Sequence, residues 1–130
     1  ASGDMVRLAD MMRLSAPDFA FYSGADEVIQ PLMALGGLGV ISVLSNVAPR
    51  ETVALTGAML KDNFREAAAM QLKLMPLIHA LFLEVNPIPA KAALAMMGRC
   101  ADILRLPLVP MGEAGRKVLA DEMQKMGLLS

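Results

Sequence analysis

The chain has 130 residues, with 12 basic and 13 acidic side chains that give it a formal net charge of −1. This length suits a single domain. The scattered charges disfavour nucleic acid as a partner, because phosphate contacts need clustered Lys and Arg. No apolar run of about 18 residues lacks a charge or a helix breaker, so no membrane span is predicted.

The first residues and the cysteine content indicate a cellular compartment. The chain opens with Ala-Ser-Gly-Asp, without an initiator Met and without the basic and apolar regions of a signal peptide. We therefore expect an excised or processed piece of a cytoplasmic protein. The one cysteine, Cys100, excludes an internal disulfide, and we expect its thiol to be buried as a small apolar group.

The hydrophobic content is high for a chain of this size. It reaches 55%, whereas soluble domains usually have about 45–50%. Most of the 12 Met residues lie on the apolar faces of predicted helices, which favours a role in the core or in subunit contacts. The excess predicts apolar surface that another chain or a second copy covers.

The first half of the sequence predicts alternating helices and strands. Apolar residues at helical spacing indicate a helix over residues 4–14, and the aromatic stretch FAFYSG predicts a strand over residues 19–24. A second helix begins at Asp26 and stops at a pair of glycines. The β-branched stretch GVISV then predicts a strand over residues 39–43, buried on both faces in a parallel sheet. The residues that follow these strands lie where α/β folds place their active sites.

The second half predicts helices only. Proline near a first turn marks a helix over residues 49–60. The next helix begins at Asn63 with a pattern that resembles a capping box, and Pro76 should kink it. Further helices are predicted over residues 90–97 and 112–126, on either side of the extended segment RLPLVP. Two parallel strands do not form a stable sheet alone, so the chain looks like the C-terminal end of something larger.

Few residues indicate chemistry by themselves. The sequence has no Cys-x-x-Cys, Gly-x-Ser-x-Gly or Walker pattern, and its one His, His79, lies mid-helix, which favours a structural or surface role. Asp26 and Glu27 follow the glycine that ends the first strand, where they either cap a helix or contact a substrate. Among the lysines, Lys91 lies near an unusual loop, although an exposed helix start explains it better than a Schiff-base role.

Three stretches together resemble one family. YSGADEVIQPLMALGGLGVISVLSNVAP, LFLEVNPIPAKAAL and LRLPLVP are similar, in order and spacing, to the C-terminal part of the dihydrodipicolinate synthase and N-acetylneuraminate lyase family of class I aldolases. The resemblance implies an α/β fold. Residues 1–48 would supply the last two strand–helix units of a TIM (β/α)8 barrel. Residues 49–130 would supply the last barrel helix and a C-terminal helical domain.

The resemblance also implies an activity and its residues. Synthases of this family condense pyruvate with aspartate semialdehyde in lysine biosynthesis, and they hold pyruvate as a Schiff base on a Lys, with no cofactor or metal. That Lys would lie just before Ala1, so we expect the chain alone to be inactive. Ile41 matches the residue whose main-chain carbonyl faces bound pyruvate, and Gly24 matches the glycine that ends the seventh barrel strand at the pocket.

One departure concerns the second substrate. The run from Gly24 to Glu27 is closer to the N-acetylneuraminate lyase branch, where its two acids contact sugar hydroxyls, whereas VISVLSNV with EVNPIP favours the synthase. The expected partners are the N-terminal barrel portion or further copies of the chain, with pyruvate as the substrate of the complete enzyme. Two alternatives remain: a non-catalytic truncated relative that serves as an oligomeric binding or assembly module, and a piece of a lyase-like aldolase.

Overall fold

A computed structural model describes residues 3–129 of the chain. The described part contains one pair of strands, a larger set of helices and a single 3-10 turn. In chain order the elements are α1 (Met5–Leu14), β1 (Tyr22–Ser23), the 3-10 turn (Asp26–Val28), α2 (Ile29–Ala34), β2 (Gly39–Val40), α3 (Leu44–Val47), α4 (Pro49–Met59), α5 (Phe64–Ala80), α6 (Ile88–Met96) and α7 (Glu113–Lys125).

The two strands pair in parallel, which confirms the predicted strand–helix–strand unit. Tyr22 lies opposite Gly39, and β1 is joined to β2 through the helical crossover α2. The pairing continues beyond the strands, since the Ile41 N–H donates to the Ser23 carbonyl at 2.7 Å. Both strands are shorter than the predicted spans 19–24 and 39–43, because each has one sheet neighbour among the described residues.

Side chains along the strands are more exposed than the sequence predicts. Tyr22 is 52% exposed and Ile41 is 74% exposed. The prediction that residues 39–43 are buried on both faces is therefore wrong for the described part of the chain. The physical reason is the open edge of the two-stranded sheet, which leaves these residues without the neighbours that a wider parallel sheet provides.

The region between the strands and the helices differs from prediction in two places. A 3-10 turn occupies Asp26–Val28, so α2 begins at Ile29 rather than at Asp26. A short helix that the sequence analysis missed, α3, follows β2 and leads into α4, whose first residue is Pro49 as predicted. The first turn of α3 is capped by the buried side chain of Asp26, which comes from a distant part of the sequence.

The C-terminal helices follow the predicted order. In α5 the residue Pro76 lies inside the helix, which continues to Ala80. The capping-box prediction is wrong, because the side chain of Asn63 makes no capping hydrogen bond. The segment RLPLVP forms no helix or strand, and a turn within it is closed by the Leu108 N–H, which donates to the Arg105 carbonyl. Cys100 is exposed, so the prediction of a buried thiol is also wrong.

One apolar core joins the helices. It draws its buried side chains from α2 and from each of the helices α3 to α7, together with neighbouring loops. The largest buried apolar side chains are Ile29, Leu44, Leu55, Leu74, Leu77, Ile78, Leu81, Leu119 and Met123. By contrast, α1 has no buried residue, and Val6 on this helix is 76% exposed. None of the helices in residues 3–129 is long and apolar enough to cross a membrane.

Candidate active site

The end of β1 is shaped by a serine. Ser23 is buried, and its hydroxyl donates to the Ala25 carbonyl at 2.7 Å while it accepts the Ala25 N–H at 3.2 Å. Serine commonly closes such local turns through its own hydroxyl. Gly24 lies between these two residues and is exposed at the carboxyl end of the strand. The turn directs the chain away from the strand and places Asp26 beneath it.

Asp26 is directed into the protein. It is 2% exposed, and its Oδ2 accepts the N–H groups of Val43 at 3.0 Å and Leu44 at 2.8 Å. These amides open α3, whose N-cap residue Val43 supplies no capping side chain of its own. Asp26 therefore caps a helix that lies 17 residues further along the chain. Its Oδ1 is buried and has no hydrogen-bond partner within residues 3–129. This geometry favours the capping alternative over contact with a substrate.

Ile41 lies where β2 ends. Its N–H is held by the Ser23 carbonyl, and no described residue donates a hydrogen bond to its own carbonyl. The next two residues, Ser42 and Val43, are held by hydrogen bonds. Ser42 Oγ accepts the Ser45 N–H at 2.8 Å, and the Asp26 carboxylate accepts the Val43 N–H. The backbone of Ile41 is thus fixed on both sides, and its carbonyl remains free to accept a bond.

Glu27 lines a cavity at the same edge of the sheet. The cavity has a volume of about 480 Å³, and its walls include Gly3, Gly24, Glu27 and Phe82. The structure therefore brings two of the four sequence-predicted residues, Gly24 and Glu27, to one cavity. Ile41 ends the neighbouring strand, and Asp26 lies buried behind the strand ends.

No lysine among residues 3–129 lines this cavity. On α7, the hydrogen bond from Lys125 Nζ to Glu122 Oε1, 2.6 Å long, raises the pKa of Lys125 above its ordinary value. A Schiff-base lysine needs the opposite change, because only the neutral amine attacks a carbonyl. The position expected for such a lysine, before Ala1, lies outside the described residues.

No metal centre is found in the part of the chain that the structure describes, where no three His, Cys, Asp or Glu residues are grouped to hold an ion. His79 is exposed on α5.

Sequence reasoning missed the role of Gln71. This residue of α5 is 5% exposed. Its Nε2 donates to the Asp26 carbonyl at 3.0 Å, and its Oε1 accepts the Gln30 N–H at 3.2 Å. One signal could have found it, because Gln71 is a polar residue on the apolar face of the predicted helix. A buried amide must find partners, and those partners are the Asp26 carbonyl after β1 and the Gln30 N–H in α2.

Comparison with known proteins decides the family. The model of the dihydrodipicolinate synthetase family matches residues 1–126. The chain belongs to the dihydrodipicolinate synthetase family. Similar curated members are the 4-hydroxy-tetrahydrodipicolinate synthases of Lachnoclostridium phytofermentans and Syntrophus aciditrophicus, each 46% identical over 129 residues. Both matches cover 99% of this chain and 44% of the other protein.

Solved structures of the family agree with the fold. Dihydrodipicolinate synthase from Thermotoga maritima matches with a TM-score of 0.97 at 41% identity, over 99% of this chain and 45% of that one. The Aquifex aeolicus enzyme matches with a TM-score of 0.95 at 38% identity, over 98% of this chain and 44% of that one. The chain thus spans less than half the length of its relatives and corresponds to their C-terminal part. The predicted partial TIM barrel with a helical C-terminal part is confirmed.

Proposed function

We propose that the protein to which this chain belongs condenses pyruvate with aspartate semialdehyde through a Schiff base, as a 4-hydroxy-tetrahydrodipicolinate synthase of the cytoplasm. One observation carries the proposal beyond family membership. The carboxyl ends of β1 and β2 lie side by side, so Gly24, Glu27 and the free carbonyl of Ile41 occupy one edge of the sheet. This is the edge at which barrels of this type carry their active sites.

In this proposal the chain supplies one wall of the pocket. The amine of a lysine that precedes Ala1 attacks the ketone carbon of pyruvate, and loss of water gives the imine. Ile41 contributes a carbonyl acceptor toward the bound pyruvate, and Gly24 lets the substrate approach the backbone closely because it has no side chain. No lysine among residues 3–129 lines the cavity, so we expect the 130 residues alone to be inactive.

The proposed partner is the rest of the barrel. A cavity of about 410 Å³ lies along β1 and is lined by Tyr22 and Gly24 from the strand end and by Leu8 and Met11 from α1. Arg7 also lines this hollow, and β1 beside it has one sheet neighbour among the described residues, so its open edge can pair with a further strand. An eight-stranded barrel takes about 250 residues, so one copy of this chain does not close it. We propose residues 1–48 as the barrel part and residues 49–130 as the last barrel helix with the helical domain.

A second candidate function is a lyase-like aldolase that acts on a hydroxylated aldehyde. Glu27 favours it, because a carboxylate in the cavity wall can accept hydrogen bonds from sugar hydroxyls. Both candidates share the pyruvate imine and differ in the second substrate. The non-catalytic alternative, an assembly module, predicts that no imine forms in the whole protein.

The deciding experiment is borohydride trapping of pyruvate on the full-length protein, followed by peptide mapping by mass spectrometry. We expect one adduct per protomer, on a lysine that precedes Ala1. The 130-residue chain serves as the matched control and should give no stoichiometric adduct. An adduct on Lys91 or on another lysine of this chain contradicts the assignment, and the absence of any adduct on the full-length protein contradicts the function. Turnover with aspartate semialdehyde or with a sugar aldehyde separates the two candidates.

A further inference from the structure

Gln71 joins the helical C-terminal part of the chain to the strand ends. Its two strong hydrogen bonds go to backbone groups far along the sequence, the Asp26 carbonyl and the Gln30 N–H. Gln30 lies in the first turn of α2, where amides have no partner inside their own helix. The side chain of Gln71, on the separate helix α5, therefore holds the backbone at the first residue of the 3-10 turn and at the start of α2.

Asp26 extends this connection to β2. Its backbone is bound by Gln71, and its side chain binds the N–H groups of Val43 and Leu44. The carbonyl of Ile41 is separated from the Val43 N–H by one residue, Ser42. Because so short a segment has few free torsions, the position of the Asp26 carboxylate restricts the direction of the Ile41 carbonyl.

Both side chains that form this connection are buried. Gln71 and Asp26 are both at most 5% exposed, and Asp26 Oδ1 has no partner within the described residues. A buried carboxylate oxygen without a partner lowers stability, and such groups in native proteins are a feature to be explained by something other than stability. The other carboxylate oxygen, Oδ2, holds the two N–H groups next to Ile41 and Ser42, which indicates that Asp26 serves to position this segment.

We propose that Gln71 is a positioning residue of the active site. It holds Asp26, and Asp26 holds the segment Ile41–Leu44 so that the Ile41 carbonyl faces the pocket. The helical C-terminal part thereby sets the geometry of the pyruvate subsite without contacting the substrate. The expected effect on pyruvate binding rests on the proposed function. The coupling of Gln71 to the segment Ile41–Leu44 rests on the hydrogen bonds alone.

Amide hydrogen exchange on the full-length protein tests the connection independently of activity. In Gln71→Met, which keeps the side-chain length and removes both bonds, we expect exchange at Val43 and Leu44 to accelerate about fivefold to tenfold. Gln71→Glu is the second variant, because it keeps the acceptor for Gln30 and removes the donor to Asp26. Gln124→Met, at an exposed position of α7, is the matched control and should leave these amides unchanged.

Pyruvate binding tests the consequence. In Gln71→Met and Asp26→Ala we expect the pyruvate concentration for half-maximal trapping to rise about fivefold, while the KM of the second substrate stays unchanged. Asp26→Asn should recover most of the loss seen in Asp26→Ala, because its amide oxygen can accept both N–H groups.

Three outcomes are distinct. Faster exchange at Gln30 alone, with Val43 and Leu44 unchanged, overturns the connection. Faster exchange at Val43 and Leu44 with unaltered half-saturation by pyruvate overturns the positioning role. A wild-type protein that traps no pyruvate refutes the proposed function, while the exchange data still decide the connection.

Discussion

At the scale of single residues, Glu27 and Asp26 show how adjacent carboxylates acquire different surroundings. The turn closed by Ser23 buries Asp26 and leaves Glu27 in the wall of a cavity. The local sequence predicts the same surroundings for the two acids, because both follow a strand and precede a helix. Their separation depends on amides at Val43 and Leu44, which are distant in sequence.

Replacement of Glu27 tests its place in the cavity. If its carboxylate binds the second substrate, Glu27→Gln raises the KM of that substrate about tenfold, since hydrogen bonds to charged groups are stronger than neutral ones. Pyruvate trapping should stay at its original level. Glu66→Gln, at an exposed site at the start of α5, is the control. Equal KM values in steady-state assays of both variants would remove Glu27 from the site.

Replacement by alanine is expected to change the free energy of unfolding in opposite directions at two glycines. A Cβ at Gly37 would collide with Cδ2 of the buried Leu32 and lie 3.0 Å from the Leu32 carbonyl oxygen. A Cβ at Gly57, inside α4, would meet nothing within 4 Å. Gly37→Ala should lower the free energy of unfolding by about 1–3 kcal/mol. Gly57→Ala should raise it by about 0.5–1 kcal/mol, because alanine favours a helix.

Denaturant titration of the full-length protein measures both changes. A Gly37→Ala variant as stable as the original protein would show that the Leu32 side chain moves aside without cost. A Gly57→Ala variant of lower stability would show that alanine is not favoured at this position of α4.

At the scale of elements, α4 divides its apolar residues between the core and the surface. Leu55 is fully buried, whereas Leu60 at the helix end is 65% exposed. Leu55→Ala should cost about 2–5 kcal/mol of unfolding free energy, because it removes apolar contacts and leaves a cavity. Leu60→Ala, the matched control, should change stability by about 0.5 kcal/mol or less. A large cost at Leu60 in the same titration would mean that another part of the full protein covers it.

At the scale of the whole molecule, the chain carries apolar surface that its own core does not use. Val6 on α1, Leu14 at its end and Ile41 after β2 are each more than 70% exposed. Such surface usually marks contact with another chain or domain.

We therefore expect the isolated 130-residue chain to self-associate in sedimentation velocity experiments and to bind a hydrophobic dye. Co-expression with the preceding part of the full-length protein should reduce the dye signal, because the open edge of β1 and the exposed face of α1 become covered. A monomer that binds no dye at any concentration contradicts this expectation, and intact mass spectrometry of the purified particle identifies which chains are present.

The elements that the sequence predicted best are those with a local signal. Pro49 starts α4, glycine follows α6 and α7, and the stretches YSG and GVISV pair in parallel as expected. The errors lie where distant groups decide the outcome. The short helix α3 is capped by the Asp26 carboxylate, whose partners are 17 and 18 residues away. The bonds of Gln71 span 41 and 45 residues, beyond the reach of any periodic pattern.

The sequence by itself determined the family, the order of the helices and strands, and which residues lie near the ends of the strands. These depend on local propensity, on apolar periodicity and on motifs whose residues are close together in the chain. Only the tertiary structure decided that Asp26 is buried behind the strand ends, that Glu27 lines a cavity and that Gln71 joins a distant helix to the backbone of Asp26 and Gln30. The reason is physical: a buried polar group is placed by the hydrogen-bond partners it finds after the chain has folded.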